Sequence, residues 1–248
     1  MSWWIYAVLL AAGVGGGITG SVAGLSSIVS YPVLLAVGLP PISANVSNTV
    51  ALVFSGVGAA SGSAAELAGQ RRTLLPLIAA SIGGGVVGSV LLLTTSAASF
   101  KILVPGLIAG ASLAILIPRG RSAATDSRHR QGTQLAGTAL ISVYGGYFGA
   151  AAGVLMLAFL LAMTNNPLAR ANAAKNVLSG FANAVAAVAF ILFGPVRWLA
   201  VLPLAIGFLL GGRLGPTIVR IVPPTPLRAT IAAAGLGLAV VLAWQAYH

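Results

Sequence analysis

The first seventy residues of this chain contain no lysine or arginine, and the first basic residue is Arg71. The whole chain of 248 residues carries only 13 basic and 2 acidic side chains. A soluble domain carries about a quarter charged residues, whereas a bilayer core of about 30 Å is crossed by about 20 apolar residues in a helix. The long uncharged stretches therefore predict an all-α integral membrane protein, whose main partner is the lipid bilayer.

The net charge of +11 does not indicate nucleic acid as a partner. Nucleic-acid binders cluster their basic residues on a polar surface, but here these residues stand between apolar segments, where positive charge sets membrane orientation. There is no cysteine, so a disulfide framework or a thiolate metal site is excluded. The N-terminal segment lacks the basic region of a signal peptide and is expected to be the first membrane segment.

The apolar segments fall into two classes. Six are predicted to be ordinary spans: 45–68, 72–95, 100–118, 172–193, 198–218 and 228–247. Residues 3–38 and 135–163 are also apolar but are cut by glycines, and the first would be about 54 Å long as one helix. Each is predicted to be two short helices meeting at a glycine-rich bend. Two full passes or a re-entrant hairpin would fit, and the hairpin is favoured because irregular backbone is tolerated where it lines a cavity.

The two halves of the chain are similar at a fixed offset. Three pairs lie 127 positions apart: Pro76 and Pro203, Asn45 and Asn172, and Lys101 and Arg228. The same offset relates Gly84, Gly85 and Gly88 to Gly211, Gly212 and Gly215. The hairpin glycines Gly16, Gly20 and Gly24 pair with Gly145, Gly149 and Gly153 at an offset of 129, which predicts a two-residue deletion in the second half. We therefore expect a first membrane repeat at 1–118, a linker at 119–131 and a second repeat at 132–248.

Basic residues predict the orientation of these repeats. With the linker in the cytoplasm and each glycine-cut stretch entering and leaving on one side, eleven basic residues are cytoplasmic, and only Lys101 and Arg197 are outside. If each stretch crossed once, the split would be seven against six. The positive-inside rule favours the first arrangement. It gives an inverted-topology repeat in the cell membrane, each half a broken hairpin followed by three transmembrane helices, with both termini outside. This plan recurs in secondary transporters, and a homodimer is possible.

Two segments resemble the signatures of the sulfite exporter family (TauE/SafE), also called the 4-toluene sulfonate uptake permease group. In the first half the segment is GLSSIVSYPVLLAVGLPPISAN at 24–45, and in the second half GGYFGAAAG at 145–153 is followed by RANAAKN at 170–176. The similarity covers nearly the whole chain, although Ser26 and Ser27 stand where many members have more glycine. It implies a transporter that exports or takes up sulfite, sulfonates or other organosulfur anions.

An anion inside a bilayer needs hydrogen-bond donors and positive potential, and helix N-termini supply both. Four such ends are expected near the centre: the two bends, near Ser26 and Ser27 and near Ala151, and the starts of the spans at 44–49 and 171–176. One face of each of these two spans presents polar residues at spacings of three and four. The predicted substrate-binding residues are Ser26, Ser27, Asn45, Asn48, Thr49, Asn172, Lys175 and Asn176.

Each of these predicted residues also has an alternative role that does not involve the substrate. Lys175 either neutralises the anion or extends to the cytoplasmic headgroups beside Arg170. The asparagines either bind substrate or form hydrogen bonds between helices. Ser26 and Ser27 either contact the ligand or cap a helix. The glycines are expected to be packing and bending residues.

The residues that are missing limit the mechanism. The carboxylates are Glu66, at a span end, and Asp126, in the linker, so no intramembrane acid is present for a proton relay. There is no Walker motif, and the spans hold no hydrolytic constellation, so we expect neither ATP coupling nor an enzyme, and no cofactor or metal. Export of an anion down the membrane potential by alternating access fits this inventory. Sodium coupling, uptake of the same anions, an anion channel and a non-transporting assembly factor stay as alternatives.

Overall fold

The computed structural model describes residues 3–100, 102–103, 106, 127–150, 152–221, 237, 240 and 244. Within these residues the regular structure is helical, and there is no strand. The helices are α1 (Trp3–Ala23), α2 (Ser26–Ala36), α3 (Pro41–Gly62), α4 (Ala64–Leu67), α5 (Arg71–Thr94), α6 (Ser127–Tyr147), α7 (Ala152–Met163), α8 (Leu168–Phe193) and α9 (Trp198–Ile221). Five of them, α1, α3, α5, α8 and α9, are long and apolar enough to cross a membrane. The predicted all-α membrane class is therefore confirmed.

Each glycine-cut stretch contains one long helix and one short helix. In the first, α1 has 21 residues and α2 has 11; in the second, α6 has 21 and α7 has 12. The prediction of two short helices per stretch is therefore wrong for the first arm of each. At about 1.5 Å per residue, α1 is long enough to cross a bilayer core, whereas α2 covers about half of it.

The two breaks depend on glycine. Gly24 and Gly149 have φ angles of +81° and +74°, in the left-handed region that residues with a side chain rarely adopt. Both lie within two or three residues of the predicted bend positions. Ala151 itself lies outside the described residues.

Prolines move two span starts towards the N-terminus. The helix α3 begins at Pro41 and α8 begins at Leu168, directly after Pro167, so both start four residues before the predicted positions. Pro41 occupies the first helical position of α3, where its fixed φ suits a helix and its missing N–H needs no partner. Pro167 is the N-cap residue of α8 and has extended backbone. The segments 44–49 and 171–176 are therefore inside helices, and the prediction that they form helix ends is wrong. The predicted spans 100–118 and 228–247 fall almost entirely outside the described residues, and α6 begins inside the predicted linker.

Glycine contacts show that α1, α9 and α3 run in the same direction. A methyl group added to Gly13 would lie 2.9 Å from the Cα atom of Gly207, and one added to Gly17 would lie 2.7 Å from the amide nitrogen of Gly212. Along α3, Gly58 contacts Arg213 and Gly62 contacts Pro216. Small residues let helix backbones approach closely in a membrane. These three helices form the first group.

The helices α5, α6 and α8 form the second group and are also parallel to one another. Gly84 contacts Ser142 and Gly88 contacts Gly146 in α6. In α8, Ser81 Oγ donates to the Leu178 carbonyl at 2.7 Å, and Gly85 lies against Ala182.

The two groups meet where α3 crosses α8 in the opposite direction. Gly56 contacts Gly180 at the crossing, and Val46, near the start of α3, contacts Gly194, just after the end of α8. Each group therefore combines helices from both halves of the chain and runs opposite to the other group.

Equivalent contacts in the two groups correct the predicted pairing of hairpin glycines. Gly84 and Gly211, which are 127 positions apart, contact Ala139 and Val14 respectively, and these two partners are 125 apart. The left-handed glycines Gly24 and Gly149 are also 125 apart. The predicted offset of 129 is therefore wrong, and the second half has two extra residues between bend and span rather than a deletion.

An aromatic cluster joins the first hairpin to the second bend. Tyr31 of α2 packs edge-on against Phe148 with ring centroids 5.4 Å apart, and Phe100 contacts Phe148 at 5.7 Å. All three side chains are at most 2% exposed. Such pairs contribute about 0.5–1.5 kcal/mol beyond area burial, and here they hold the second bend against the first hairpin.

Candidate anion-binding site

The two glycine bends touch each other. A methyl group added to Gly24 would lie 2.6 Å from the Cα atom of Gly153, closer than any packed side chain allows. Because α2 begins two residues after Gly24 and α7 begins at Ala152, this contact brings together two helix N-termini from opposite halves. Each N-terminus carries about half a positive charge.

The start of α2 is left without a side-chain cap. The residue at the N-cap position is Leu25, which has no side-chain oxygen, and no side chain caps this end. Ser, Thr, Asp or Asn normally occupies such a position and accepts a hydrogen bond from the first turn. The Ile28 amide of this turn donates to the Leu25 carbonyl at 3.2 Å, which leaves the Ser26 and Ser27 amides for an anion. Helix N-termini readily bind anions in this way.

A cavity of about 60 Å³ lies beside these two helix ends. A buried water needs roughly 10–15 Å³, so the space suits a few waters or one small anion. The cavity is lined by polar residues from both halves: Ser26, Ser27, Ser55, Ser142, Lys175, Asn176, Ser179 and Asn183. Gly20, Gly24, Gly149 and Gly153 also line it, together with other small or apolar residues. Four of the eight predicted site residues, Ser26, Ser27, Lys175 and Asn176, therefore lie together at this cavity.

Lys175 is the charged residue in the described lining of this cavity. Its side chain is 1% exposed, so the alternative in which it reaches the headgroups is wrong. The ammonium donates to the carbonyl oxygens of Gly20 at 2.8 Å and Ser21 at 3.1 Å, at the C-terminal end of α1. A helix C-terminus favours a cation, but these partners are neutral. Glu66, the carboxylate in the described part of the chain, pairs instead with Arg220.

Asparagines near the starts of α3 and α8 bind the broken helix of the opposite half. Asn172 Nδ2 donates to the Ser21 carbonyl at 2.8 Å and Asn176 Nδ2 donates to the same oxygen at 3.2 Å. In the other half, Asn45 Nδ2 donates to the Tyr147 carbonyl at 3.0 Å. The last carbonyls of a helix have no partner within it, so these amides satisfy them. Asn45 and Asn172 form interhelical hydrogen bonds outside the cavity lining.

Asn48 orients a serine that does line the cavity. Its Nδ2 donates to Ser27 Oγ at 3.0 Å, and its Oδ1 accepts from Ser30 Oγ at 2.6 Å. Because Ser27 Oγ accepts this bond, its own hydroxyl hydrogen is left to donate towards the cavity. Thr49 Oγ1 donates to the Asn45 carbonyl one turn earlier in its own helix. Asn48 and Thr49 are therefore close to the site without lining it.

Four polar lining residues were not predicted: Ser55, Ser142, Ser179 and Asn183. Ser55 lies seven positions after Asn48, and Asn183 lies seven after Asn176, so each continues the polar face already identified by two helical turns. Extending that face would have found them, and Ser179 as well. Ser142 comes from α6 and contacts Ser81 Oγ at 2.8 Å. Nothing in the sequence connects it to the other residues.

The arrangement can hold a small anion by electrostatic attraction and hydrogen bonding. It combines two helix N-termini, one buried ammonium and several hydroxyl and amide groups. A buried charge without an opposite charge costs several kcal/mol, and an anion in the cavity would remove this cost. In the described part of the chain, no three of the residues that commonly ligate metals come together.

The chain matches a known family along most of its length. A family model described as sulfite exporter TauE/SafE matches residues 9–242. The "Probable membrane transporter protein" of Haemophilus influenzae is 24% identical over 230 residues, covering 92% of this chain and 90% of that protein. "Probable membrane transporter protein YfcA" of Escherichia coli K12 is 26% identical over 211 residues, covering 82% and 76%. "Probable membrane transporter protein ORF9" of a Sinorhizobium species is 25% identical over 220 residues, covering 85% and 82%. No solved structure matches the chain.

Proposed function

Because the chain belongs to the sulfite exporter TauE/SafE family and is a membrane transporter rather than an enzyme, we propose that it exports a small sulfur-containing anion. The substrate class is sulfite, a sulfonate or sulfoacetate. The observation that carries the proposal is Lys175, an ammonium 1% exposed whose hydrogen-bond partners are neutral carbonyls. A transported anion is the opposite charge that this site lacks among its described residues.

The substrate meets donors from both halves of the chain. The N–H groups at the start of α2 and the Ser26 and Ser27 hydroxyls approach it from one half, and Lys175 and Asn176 from the other. Two of the three ammonium hydrogens of Lys175 are directed to carbonyls, which leaves one for the anion. The cavity of about 60 Å³ favours a small anion over a bulky aromatic sulfonate in this conformation.

Transport proceeds by alternating access between inverted repeats. The opposite directions of the first group and the second group support this plan, because α1, α3 and α5 then correspond to α6, α8 and α9 running the other way. The anion is held where the broken helices meet, and rocking of one group against the other opens the cavity to each side in turn.

The membrane potential drives the export. With the cell interior negative, each exported negative charge releases about 2.3 kcal/mol per 100 mV. A uniporter therefore needs no coupling ion, and the sequence provides no intramembrane carboxylate for a proton relay.

Ligand binding to purified protein tests the proposal. The detergent-solubilised chain is heated with sulfite, sulfate, thiosulfate, taurine, sulfoacetate or chloride at matched ionic strength. A specific ligand raises the unfolding temperature by mass action, and we expect this for at least one sulfur-containing anion but not for chloride. Lys175→Met, which keeps the length of the side chain but removes its charge, should abolish the shift. Equal responses of both proteins to every anion would contradict the proposal.

Reconstituted vesicles then separate a carrier from a channel. A carrier shows saturable flux and counterflow of labelled anion against unlabelled anion on the opposite side. A channel shows ohmic single-channel currents and no counterflow. We expect counterflow, and we expect net flux of the anion towards the positive side when a potential is imposed without a sodium or proton gradient.

A further inference from the structure

The carbonyl oxygen of Ser21 has more hydrogen-bond donors than it has lone pairs. It accepts from Asn172 Nδ2 at 2.8 Å, from Lys175 Nζ at 3.1 Å and from Asn176 Nδ2 at 3.2 Å. A backbone carbonyl has two lone pairs. One of the three donors can therefore leave while the oxygen keeps both lone pairs in use.

The second carbonyl held by Lys175 also has another donor. Gly20 O accepts from the Gly24 amide at 2.7 Å as well as from Lys175 Nζ at 2.8 Å. Lys175 can thus turn away from both carbonyls without leaving either one unpaired. Lys175 and Asn176 line the cavity, whereas Asn172 does not.

Asn172 makes its bond to Ser21 while leaving its own oxygen without a partner. Its side chain is 2% exposed, and Oδ1 has no hydrogen-bond partner in the described structure. A buried unpaired carbonyl oxygen is unfavourable, so the amide is held in this orientation by its bond to Ser21. Asn172 is therefore suited to remain on this carbonyl when the other two donors move.

We propose that Asn172 is a positioning residue for anion binding, an inference that rests on the proposed function. When an anion enters, Lys175 and Asn176 transfer hydrogen bonds from the Ser21 carbonyl to the anion. Asn172 keeps that carbonyl bonded and keeps the end of α1 attached to α8. Without Asn172, the anion and the carbonyl would compete for the same two donors, so binding would be weaker although Asn172 never touches the anion.

The other half of the chain provides a matched control. Asn45 makes the equivalent bond, to the Tyr147 carbonyl. Unlike the Ser21 carbonyl, this oxygen accepts from no second side chain among the described residues. Position 48, which corresponds to Lys175 at the offset of 127, is an asparagine that bonds Ser27 and Ser30 instead. Loss of Asn45 therefore leaves the Tyr147 carbonyl without a side-chain donor among the described residues, with or without an anion.

The test compares Asn172→Leu with Asn45→Leu in the purified full chain. Sulfite and sulfoacetate are the probes, calorimetry gives the Kd, and thermal unfolding without anion gives the stability. In Asn172→Leu, Ser21 keeps two donors until an anion binds, so we expect a near-normal unfolding temperature and a Kd raised about tenfold. In Asn45→Leu we expect the reverse, a lower unfolding temperature and a Kd within about twofold of the wild type.

The possible outcomes distinguish a failure of the proposed role of Asn172 from a failure of the proposed anion-transport function. A wild-type Kd in Asn172→Leu, with binding abolished in Lys175→Met, overturns the role of Asn172 and leaves the anion site intact. Equal losses of affinity in both leucine variants also overturn it. If the wild type binds neither probe, the inference falls together with its anion site. Asn172→Ala, which removes the donor without adding apolar bulk, gives the same reading if the leucine variant does not fold.

Discussion

Polar residues around the cavity divide into those that face it and those that hold the first set in place. Lys175, Asn176, Ser26 and Ser27 line the cavity, whereas Asn45, Asn48, Thr49 and Asn172 bond neighbouring helices or their own. The i, i+3, i+4 spacing predicted that these residues would share a face. It could not predict the partners of Asn45 and Asn172, because these are carbonyls at the ends of helices more than 100 residues away along the chain.

Replacing Asn48 by leucine should destabilise the protein by about 1–2 kcal/mol, more than the ~0.6 kcal/mol average for one interhelical bond. The reason is that Asn48 bonds two buried serines: without it the Ser27 hydroxyl loses its donor, and the Ser30 hydroxyl keeps only its bond to the Ser26 carbonyl. The side chain is 0% exposed, so water cannot replace it. Thr49→Val is the control, since the Thr49 hydroxyl bonds only a carbonyl of its own helix. Thermal unfolding in detergent measures both. A smaller loss for Asn48→Leu than for Thr49→Val would contradict the assignment.

Glu66, in α4, should give the protein a pH-dependent stability. Its carboxylate accepts from Arg220 Nε at 2.9 Å and from Arg220 Nη2 at 3.0 Å. The hydrogen bonds from Arg220 lower the pKa of Glu66 below its ordinary value of 4.5. Because the folded-state pKa is lowered, the stabilisation is complete above 4.5 and disappears as the pH falls through the lowered value.

Glu66→Gln should therefore unfold at a lower temperature than the wild type at pH 7. The difference should shrink steadily as the pH is lowered below about 4.5. Unfolding curves of the two proteins between pH 7 and pH 3 test this. A difference that stays constant over that range would show that the Arg220 pairing is not its source.

At the scale of elements, the sequence predicted the bends better than the helices beside them. The glycines indicated where the chain breaks, since Gly24 and Gly149 adopt left-handed angles. Hydropathy could not show that α1 would continue unbroken through Gly13, Gly16, Gly17 and Gly20. Those glycines are compatible with a helix because α2 and α9 pack directly against them. Nothing local in the sequence reports this tertiary packing.

Gly24→Ala tests whether the contact between the bends forms the site. The substitution adds left-handed strain of about 1–2 kcal/mol and a clash with Gly153 that costs typically 1–3 kcal/mol more. Gly38→Ala is the matched control, because Gly38 has a φ of +91° but no atom within 4 Å of the added methyl group. We expect Gly24→Ala to be the less stable variant in thermal unfolding and to lose sulfite binding, while Gly38→Ala loses only stability. Equal effects of the two substitutions on stability and on sulfite binding would show that the Gly24–Gly153 contact does not form the site.

For the whole molecule, the internal repeat could be predicted from the sequence. The packing of helices of one half among helices of the other half could not. The offset of 127 correctly relates Gly85 and Gly212, which occupy matching contacts with Ala182 and Ser55. It could not show that α1 would pack on α9 and α6 on α5, so that each half is completed by the other. Sequence similarity between the halves shows which segments correspond. It does not show that a helix of one half packs against helices of the other half, because that depends on tertiary contacts.

The orientation of the repeats can be measured directly, because the chain has no cysteine and single cysteines can be introduced without background. The inverted arrangement predicts that Ser96→Cys and Trp198→Cys react with a membrane-impermeant maleimide from outside the cell. Arg72→Cys and Glu66→Cys should react only after the membrane is permeabilised. Labelling of Trp198→Cys from the same side as Arg72→Cys would contradict the inverted arrangement, because these residues lie at the starts of corresponding helices of the two halves.

The close seam between α1 and α9 has a consequence for biogenesis. Gly13 and Gly207 touch through their backbones but are separated by almost 200 positions. At about 5–20 residues per second, the ribosome needs on the order of 10–40 seconds after making one to make the other. During this time Gly13 and Gly17 of α1 lack the α9 backbone that packs against them in the folded protein. A protein truncated before Trp198 is thus expected to be recognised as incomplete and degraded.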